Sequence, residues 1–445
     1  MRYPTGGTLA GNGGPMAQWC GPGAWGAPGR GGNMRRVSPW LDARAVPFMV
    51  TLFLAAAGAV YSLAWSALAH HKWQVYSDLW NSADMSLAVG HAHWSAVYAY
   101  PSQIDSPPGF EYLLAPVMVL GHAIGLGTTI AEGHGFMVFG LILAPLAVLL
   151  AGSVLFALDA IARSWGFSEV QRAAVSLVAG LGVVSAVVFW GHPEDCIALA
   201  LVLWAAVAAD HSGSARASRA GWLLGAAVAF QPVALLGVAP VVARFGWRDL
   251  GRVAWRTALP SALLLLPEVL TSAAVTLHRV VDQPYFPADE SSTPFGHFSR
   301  ALGNGFYSGG TLRLVSTLAA AAVGYIACRR RHDLPWVLLV MSLAFTLRVL
   351  FESELLGFYF FPVVAICLLL TMRRSWSLFG ACAVASVVCL ILGNRRAHDI
   401  VLWWPAIMAT TVLMVGLAAA SLRRRPMPDP PRAPRRLERP VAAPA

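Results

Sequence analysis

Residues 73–111 read WQVYSDLWNSADMSLAVGHAHWSAVYAYPSQIDSPPGFE, directly after a first long apolar run, Ala45 to Leu68. In a chain with only 12% charged residues, this stretch gathers Asp78, Asp84, Asp105, Glu111, His91 and His93. Such a segment is too polar for hydrocarbon, so it marks an aqueous loop between apolar runs. Tyr76, Leu79, Trp80, Ala83 and Leu87 recur at three-and-four spacing, which predicts an amphipathic helix from Tyr76 lying at a membrane surface. Asp78 falls off that apolar face. A carboxylate held just above a bilayer and aimed at water is what a general base acting on a lipid-linked substrate requires.

Outward from this loop, apolar runs recur as far as Leu422, each near the roughly 20 residues that cross a bilayer as a helix. Of 445 residues 57% are hydrophobic, and mean hydropathy is +0.60. The expectation is an all-α polytopic membrane protein of about 10–12 transmembrane or half-membrane helices, with two large extracytoplasmic loops, 69–135 and 278–313. The net charge of +10 sits in arginine clusters at the ends of apolar runs. That placement reflects orientation in the membrane rather than a nucleic-acid partner. None of the six cysteines forms a C-x-x-C pair, which argues against a disulfide framework or a zinc site. Residues 1–44 read as a disordered, Gly/Pro-rich cytoplasmic segment, with Met34 as an alternative start. Residues 45–422 form the membrane domain, and 423–445 a disordered Pro/Arg-rich cytoplasmic tail touching anionic lipid heads.

Arg35, Arg36 and Arg44 precede the first span and place the N-terminus in the cytoplasm and the 73–111 stretch outside. Phe110 to Gly127, carrying Pro116, Gly121 and Gly125, is expected to be a short juxtamembrane helix. Phe136 to Ala162 crosses as one tilted span, and Ala173 to Trp190 returns outward. Gly191 to Asp195, GHPED, makes an outer turn, and Ile197 to Ala209 goes back in. Ala220 to Ala243 has Arg219 before it and Arg244, Arg248, Arg252 and Arg256 after it. Both ends therefore read as cytoplasmic, and the segment dips in and returns as two half-helices broken at Gln231-Pro232 and at Pro240. Thr257 to Leu277 then crosses to the second loop. Leu314 to Cys328, Leu334 to Phe351, Leu355 to Met372, Trp376 to Gly393 and Ile400 to Leu422 bring the C-terminus back to the cytoplasm. A single lysine, Lys72, against 31 arginines, with the Ala, Gly and Pro richness, reads as the mark of a GC-rich bacterial genome, so the expected setting is a bacterial plasma membrane.

Several ionisable groups are candidates for chemistry, each against a duller reading. Asp78 is the candidate general base; acids just outside a first span are also commonly only solvated. Asp84 lies six residues on, turned well round the helix, and is either structural or a substrate contact. His91 and His93, with His70 and His71, lack further ligands at fixed spacing, so no metal is expected. His192, Glu194 and Asp195 crowd one turn between spans, where ionisable groups are functional by default, although a charge-balanced helix N-terminus explains part of the pattern. Arg348, one turn before Glu352, forms an internal ion pair or grips an anion. In the second loop His278, Arg279, His297 and Arg300 suit phosphate binding, since arginine's planar fork matches phosphate oxygens; solvated loop charges are the alternative.

In pattern and order, from Ala45 to Leu422, the chain resembles the GT-C superfamily of membrane glycosyltransferases, in particular the bacterial polyprenol-phosphate-sugar enzymes of the mannosyltransferase type. The similar features are an Asp in the first outer loop (Asp78 in Tyr76-Ser77-Asp78-Leu79), a Gly90 to Tyr98 region, and the Pro-rich entry Ser106-Pro107-Pro108-Gly109. They continue with the Gly191-His192 turn, the broken half-helix at Phe230-Gln231-Pro232, and the acid followed by aromatics from Glu352 to Phe361. The resemblance implies inverting transfer of a sugar, mannose or another hexose or pentose, from a polyprenyl-phosphate donor to a glycolipid or polysaccharide acceptor of the cell envelope. Asp78 would act as general base. Asp84, His192, Glu194, Asp195, Gln231, Arg279, His297 and Arg348 would bind substrate, and no cofactor or metal would be needed. A transporter or flippase, or a non-catalytic envelope-assembly subunit, are the competing expectations.

Overall fold

The computed structural model describes residues 39–69, 77–99, 106–126, 135–210, 215–282, 293–296, 310–352, 355–394 and 400–423. The chain divides into Met1–Ala43 and Arg44–Ala445, and of the former only the first helical residues, 39–43, are described. Among the described residues all regular structure is helical. The helices are α1 (Pro39–Ala69), α2 (Ser77–Gly90), α3 (Gly109–Ala123), α4 (Gly135–Ala151), α5 (Ser153–Ser164), α6 (Glu169–Val184), α7 (Pro193–Asp210) and α8 (Ala215–Phe230). They continue with α9 (Leu235–Val242), α10 (Trp247–Leu277), α11 (Gly310–Arg330), α12 (Leu334–Leu350), α13 (Phe361–Met372), α14 (Trp376–Asn394) and α15 (Ile400–Ser421).

Among the described residues, six stretches are long and apolar enough to cross a membrane: Arg44–Tyr61, Ile142–Ser164, Glu169–Phe189, Trp247–Val280, Trp376–Asn394 and Val401–Ser421. The protein is therefore polytopic and membrane-embedded. The core forms around α13, which is apolar on every side and buried at every residue from Phe361 to Met372, as an all-round hydrophobic helix must be inside a bundle. By contrast α10 leaves most of its apolar surface exposed, which suits a helix facing lipid.

Arginines gather at one end of these helices. Asp159 near the end of α5 accepts two hydrogen bonds from Arg172 of α6, at 2.6 and 3.1 Å, and pairs with Arg163 at 3.2 Å. Arg373, after α13, lies over the Trp165 ring at 5.3 Å. Arg244, after α9, reaches Asp210 at the end of α7 at 2.5 Å, and Arg216 at the start of α8 lies over Phe245 at 5.6 Å. Arg329 at the end of α11 donates to the Phe245 carbonyl at 3.2 Å.

Those contacts bring the two ends of the 215–244 segment together, so α8 and α9 run out and back. The chain turns at Gln231, whose backbone is extended, followed by a 3-10 turn, Pro232–Ala234, because Pro232 cannot continue the helical ladder. Two expectations need correction, both of helix starts. Helix α1 begins at Pro39 rather than at Ala45. The span expected at Phe136 to Ala162 remains one apolar stretch, Ile142–Ser164, interrupted between α4 and α5 only at Gly152, where Thr51 of α1 packs so closely that a Cβ would meet its Cγ2 at 2.2 Å. Helix α10 starts at Trp247 rather than Thr257, so Arg248, Arg252 and Arg256 are helical, and it bends at Ser272, the residue with non-helical backbone angles.

Candidate active site

At the end opposite the arginines, the first turn of α2 meets the turn between α6 and α7. Leu79, Trp80 and Ala83 of α2 are buried against the core, which fixes the helix's rotation and leaves Asp78 at the edge. Gly191 has φ +77°, and a Cβ there would stand 2.6 Å from the Leu79 backbone nitrogen. Only glycine permits both the left-handed backbone and that approach. A π-helical turn, Ser185–Phe189, ends α6 just before it. Trp190 Nε1 then donates to Asn394 Oδ1 at 2.6 Å, and the Asn394 amide donates to Ser185 Oγ at 3.0 Å. Gly357 makes room for this knot, since a Cβ there would meet Asn394 Oδ1 at 2.3 Å. The turn that carries His192 is therefore clamped from both sides.

His192 stands between two carboxylates. Its Nε2 lies 2.8 Å from Asp78 Oδ2 and its Nδ1 2.6 Å from Glu194 Oε1, while the ring stacks on Phe358 at 4.0 Å and 25°. Both ring nitrogens can donate only in the imidazolium. Burial works against that charge, but Glu194 and Asp78 outweigh it and hold the pKa well above 6.5. Asp195 is buried next to Glu194, takes a hydrogen bond from Gln231 at the tip of the α8–α9 hairpin, and feels the charges of His192 and Arg348. Arg348 pairs with Glu352 and lies over the Tyr359 ring at 4.7 Å; that ring meets Phe358 edge-on at 4.5 Å, which closes the circuit back to His192. Gly109 lets α3 start against α8, because a Cβ there would be 2.4 Å from the Ala229 carbonyl oxygen. Two residues on, Glu111 is fully buried, and burial first, then Glu194, raises its pKa to about 8 against a hydrogen bond from Ser82. It is protonated at neutral pH.

Of the residues singled out in the sequence, Asp78, His192, Glu194, Asp195, Gln231 and Arg348 thus come together from four separate regions of the chain. Asp84 lies on α2 almost two turns beyond Asp78, half-buried. Arg279 sits in the π-helical turn His278–Asp282 that ends α10, where Val280 packs against the cluster of Met85, Val97 and Tyr98. His297 and Arg300 lie outside the described residues, as do His70 and His71. His91 and His93 are exposed, and the His91 ring lies 5.9 Å from that of His93 and 6.0 Å from that of His122. No protein family is matched by the sequence, and no curated protein matches it.

Glu268 escaped the sequence reading. It stands in the apolar run Leu264-Leu265-Leu266-Pro267-Glu268-Val269-Leu270 of α10 and is fully buried, as only Val253 and Thr276 also are on this helix, with the Tyr112 hydroxyl 3.4 Å from Oε1. An acid inside a bilayer-length apolar run was the available signal. Chemically, the site is a set of carboxylates around two cations, His192 and Arg348. Asp78, with 34% of its side chain exposed against 10% for Glu194, is the member that meets solvent.

Proposed function

We propose that the protein is a GT-C-type membrane glycosyltransferase. It would move a sugar from a polyprenyl-phosphate donor to a cell-envelope glycolipid or polysaccharide on the extracytoplasmic face of the plasma membrane, with Asp78 as general base. The observation that carries this reading is the position of Asp78: on a helix outside the candidate spans, at the end opposite the arginines, open to solvent at its edge, and held by His192. A carboxylate so oriented can accept the proton of an acceptor hydroxyl. The leaving phosphate is already anionic and needs positive charge, not a proton. On this reading the arginine-rich end faces the cytoplasm by the positive-inside rule, with both termini on that side and the site outside.

The test is Asp78→Asn, which keeps shape and hydrogen bonding but removes the proton acceptor. Transfer of radiolabelled sugar from polyprenyl phosphate in membranes should fall by about 10²- to 10⁴-fold. Asp84→Asn at equal expression should lose far less. A normally expressed Asp78→Asn protein that keeps most of its transfer activity sinks the mechanism. One observation favours a second reading, a proton-coupled transporter: Glu268 is an acid buried within the apolar run of α10, a helix that leaves most of its apolar surface exposed. Proton-driven uptake into vesicles that disappears in Glu268→Gln, with no transfer activity in the wild type, would establish it instead.

A further inference from the structure

Among the described residues, the turn that holds His192 has two buried carboxylate oxygens without a hydrogen-bond partner. Glu194 and Asp195 are 7% and 8% exposed, and the oxygens so placed are Glu194 Oε2 and Asp195 Oδ2. Glu194 Oε1 is engaged by His192 Nδ1. Buried carboxylate oxygens are paired or coordinate metal, because an unpaired one loses its hydration with no return.

Ligand atoms from His192, Glu194 and Asp195 lie within 4.8 Å of one another. Metal–ligand bonds to imidazole nitrogen and carboxylate oxygen are about 2.0–2.2 Å, so two ligands of one ion stand at most about 4.4 Å apart, and a few tenths of an ångström of inward movement completes the set. The imidazole is also held as a ligand should be. Histidines that bind metal donate their second ring N–H to a carboxylate, which fixes the tautomer. Here Nε2 faces Asp78 at 2.8 Å and leaves Nδ1 turned to the Glu194 side. The N-terminal turn of α7 favours the two carboxylates rather than the ion, so the cation is held by the acids it neutralises.

We infer that His192, Glu194 and Asp195 form a binding site for one divalent cation, with Asp78 as the carboxylate that orients the imidazole. Two carboxylates and one imidazole suit a first-row ion such as Mn²⁺ better than Ca²⁺, which takes oxygen ligands. On binding, the ion replaces the proton shared between Nδ1 and Glu194 Oε1, and that proton passes to solvent. The site rests on this geometry and not on the transferase reading; on that reading the ion would grip the donor phosphate, which the surrounding carboxylates otherwise repel.

The test is Mn²⁺ titration of the purified full chain in detergent, followed by electron paramagnetic resonance. The wild type should bind one Mn²⁺ per chain, with spin-echo modulation from a single imidazole nitrogen. Glu194→Gln and Asp195→Asn, with helix content unchanged by circular dichroism, should lose binding. Asp78→Asn should weaken it by about 10- to 100-fold. His91→Ala, in the exposed histidine group, should bind as the wild type does. Absence of bound Mn²⁺ in the wild type, bound Mn²⁺ without nitrogen modulation, or equal binding by folded Glu194→Gln and Asp195→Asn overturns the site. Should those two variants fail to fold, the nitrogen modulation of the wild type decides alone. None of these outcomes touches the Asp78→Asn transfer assay, so the two proposals fail separately.

Discussion

Gly191→Ala is the smallest change that separates Asp78 from His192 without altering either residue. At φ +77° an alanine adopts a left-handed backbone, at about 1–2 kcal/mol. Its Cβ, 2.6 Å from the Leu79 nitrogen and 3.2 Å from the Leu79 Cβ, meets backbone rather than a movable side-chain tip. Ordinary contact, near 3.5 Å, is regained only if the start of α2 moves by about 1 Å, and overpacking of this kind adds about 1–3 kcal/mol. Asp78 precedes Leu79, so the same movement stretches its 2.8 Å bond to His192 beyond hydrogen-bonding distance. The expected result is a loss of about 2–5 kcal/mol of stability and, on the proposal that Asp78 is the general base of sugar transfer, about 10²-fold in transfer rate, the typical effect of displacing a catalytic group by 1 Å. Thermal unfolding in detergent and sugar transfer in membranes measure the two. Gly125→Ala, also at positive φ but with no atom within 4 Å of the new Cβ, controls for backbone strain alone and should keep its activity. If Gly191→Ala is no less active than Gly125→Ala, the contact with α2 does not position Asp78.

Topology is set by where the arginines meet: in a Cys20→Ala background, cysteines at exposed Ala215 and Arg248 should both be labelled from the cytoplasm and a cysteine at His91 from outside. Outside labelling at Ala215 would mean that α8 and α9 together cross once. Glu111 has its folded pKa raised to about 8 from 4.5, so the folded state keeps a proton that the unfolded chain releases, and stability falls as pH rises through that window. Glu111→Gln should remove a decline on the order of 4 kcal/mol between pH 5 and 9, seen as a shallower fall of melting temperature with pH; an unchanged slope refutes the assignment. Asp159→Ala leaves Arg172 buried without its bidentate partner and should cost about 3–5 kcal/mol. Transfer per folded molecule should be unaffected by that change, and a changed Michaelis constant would contradict a purely structural role.

The sequence alone determined the class of this protein. Apolar runs of bilayer length have one stable answer, the helix, because hydrocarbon offers no other partner for the backbone. Arg219 and Arg244 bracket a segment broken at Pro232, and the return of α8–α9 is dictated by charges and a missing N–H that are local and legible. Asp78 was conspicuous as an acid beside an apolar helical face. The tertiary structure decided what Asp78 touches. His192 is 114 residues away, Gln231 and Arg348 farther, and hydrophobic burial only says that spans pack, not which ends meet. Glycines set those meetings: Gly191 against Leu79, Gly109 against Ala229, Gly152 against Thr51, each a close approach that no periodicity announces. The unpaired oxygens of Glu194 and Asp195 belong to the same category. Whether a carboxylate finds a partner depends on every neighbour that packing brings within about 3 Å, and that is a property of the assembled bundle rather than of the five residues GHPED.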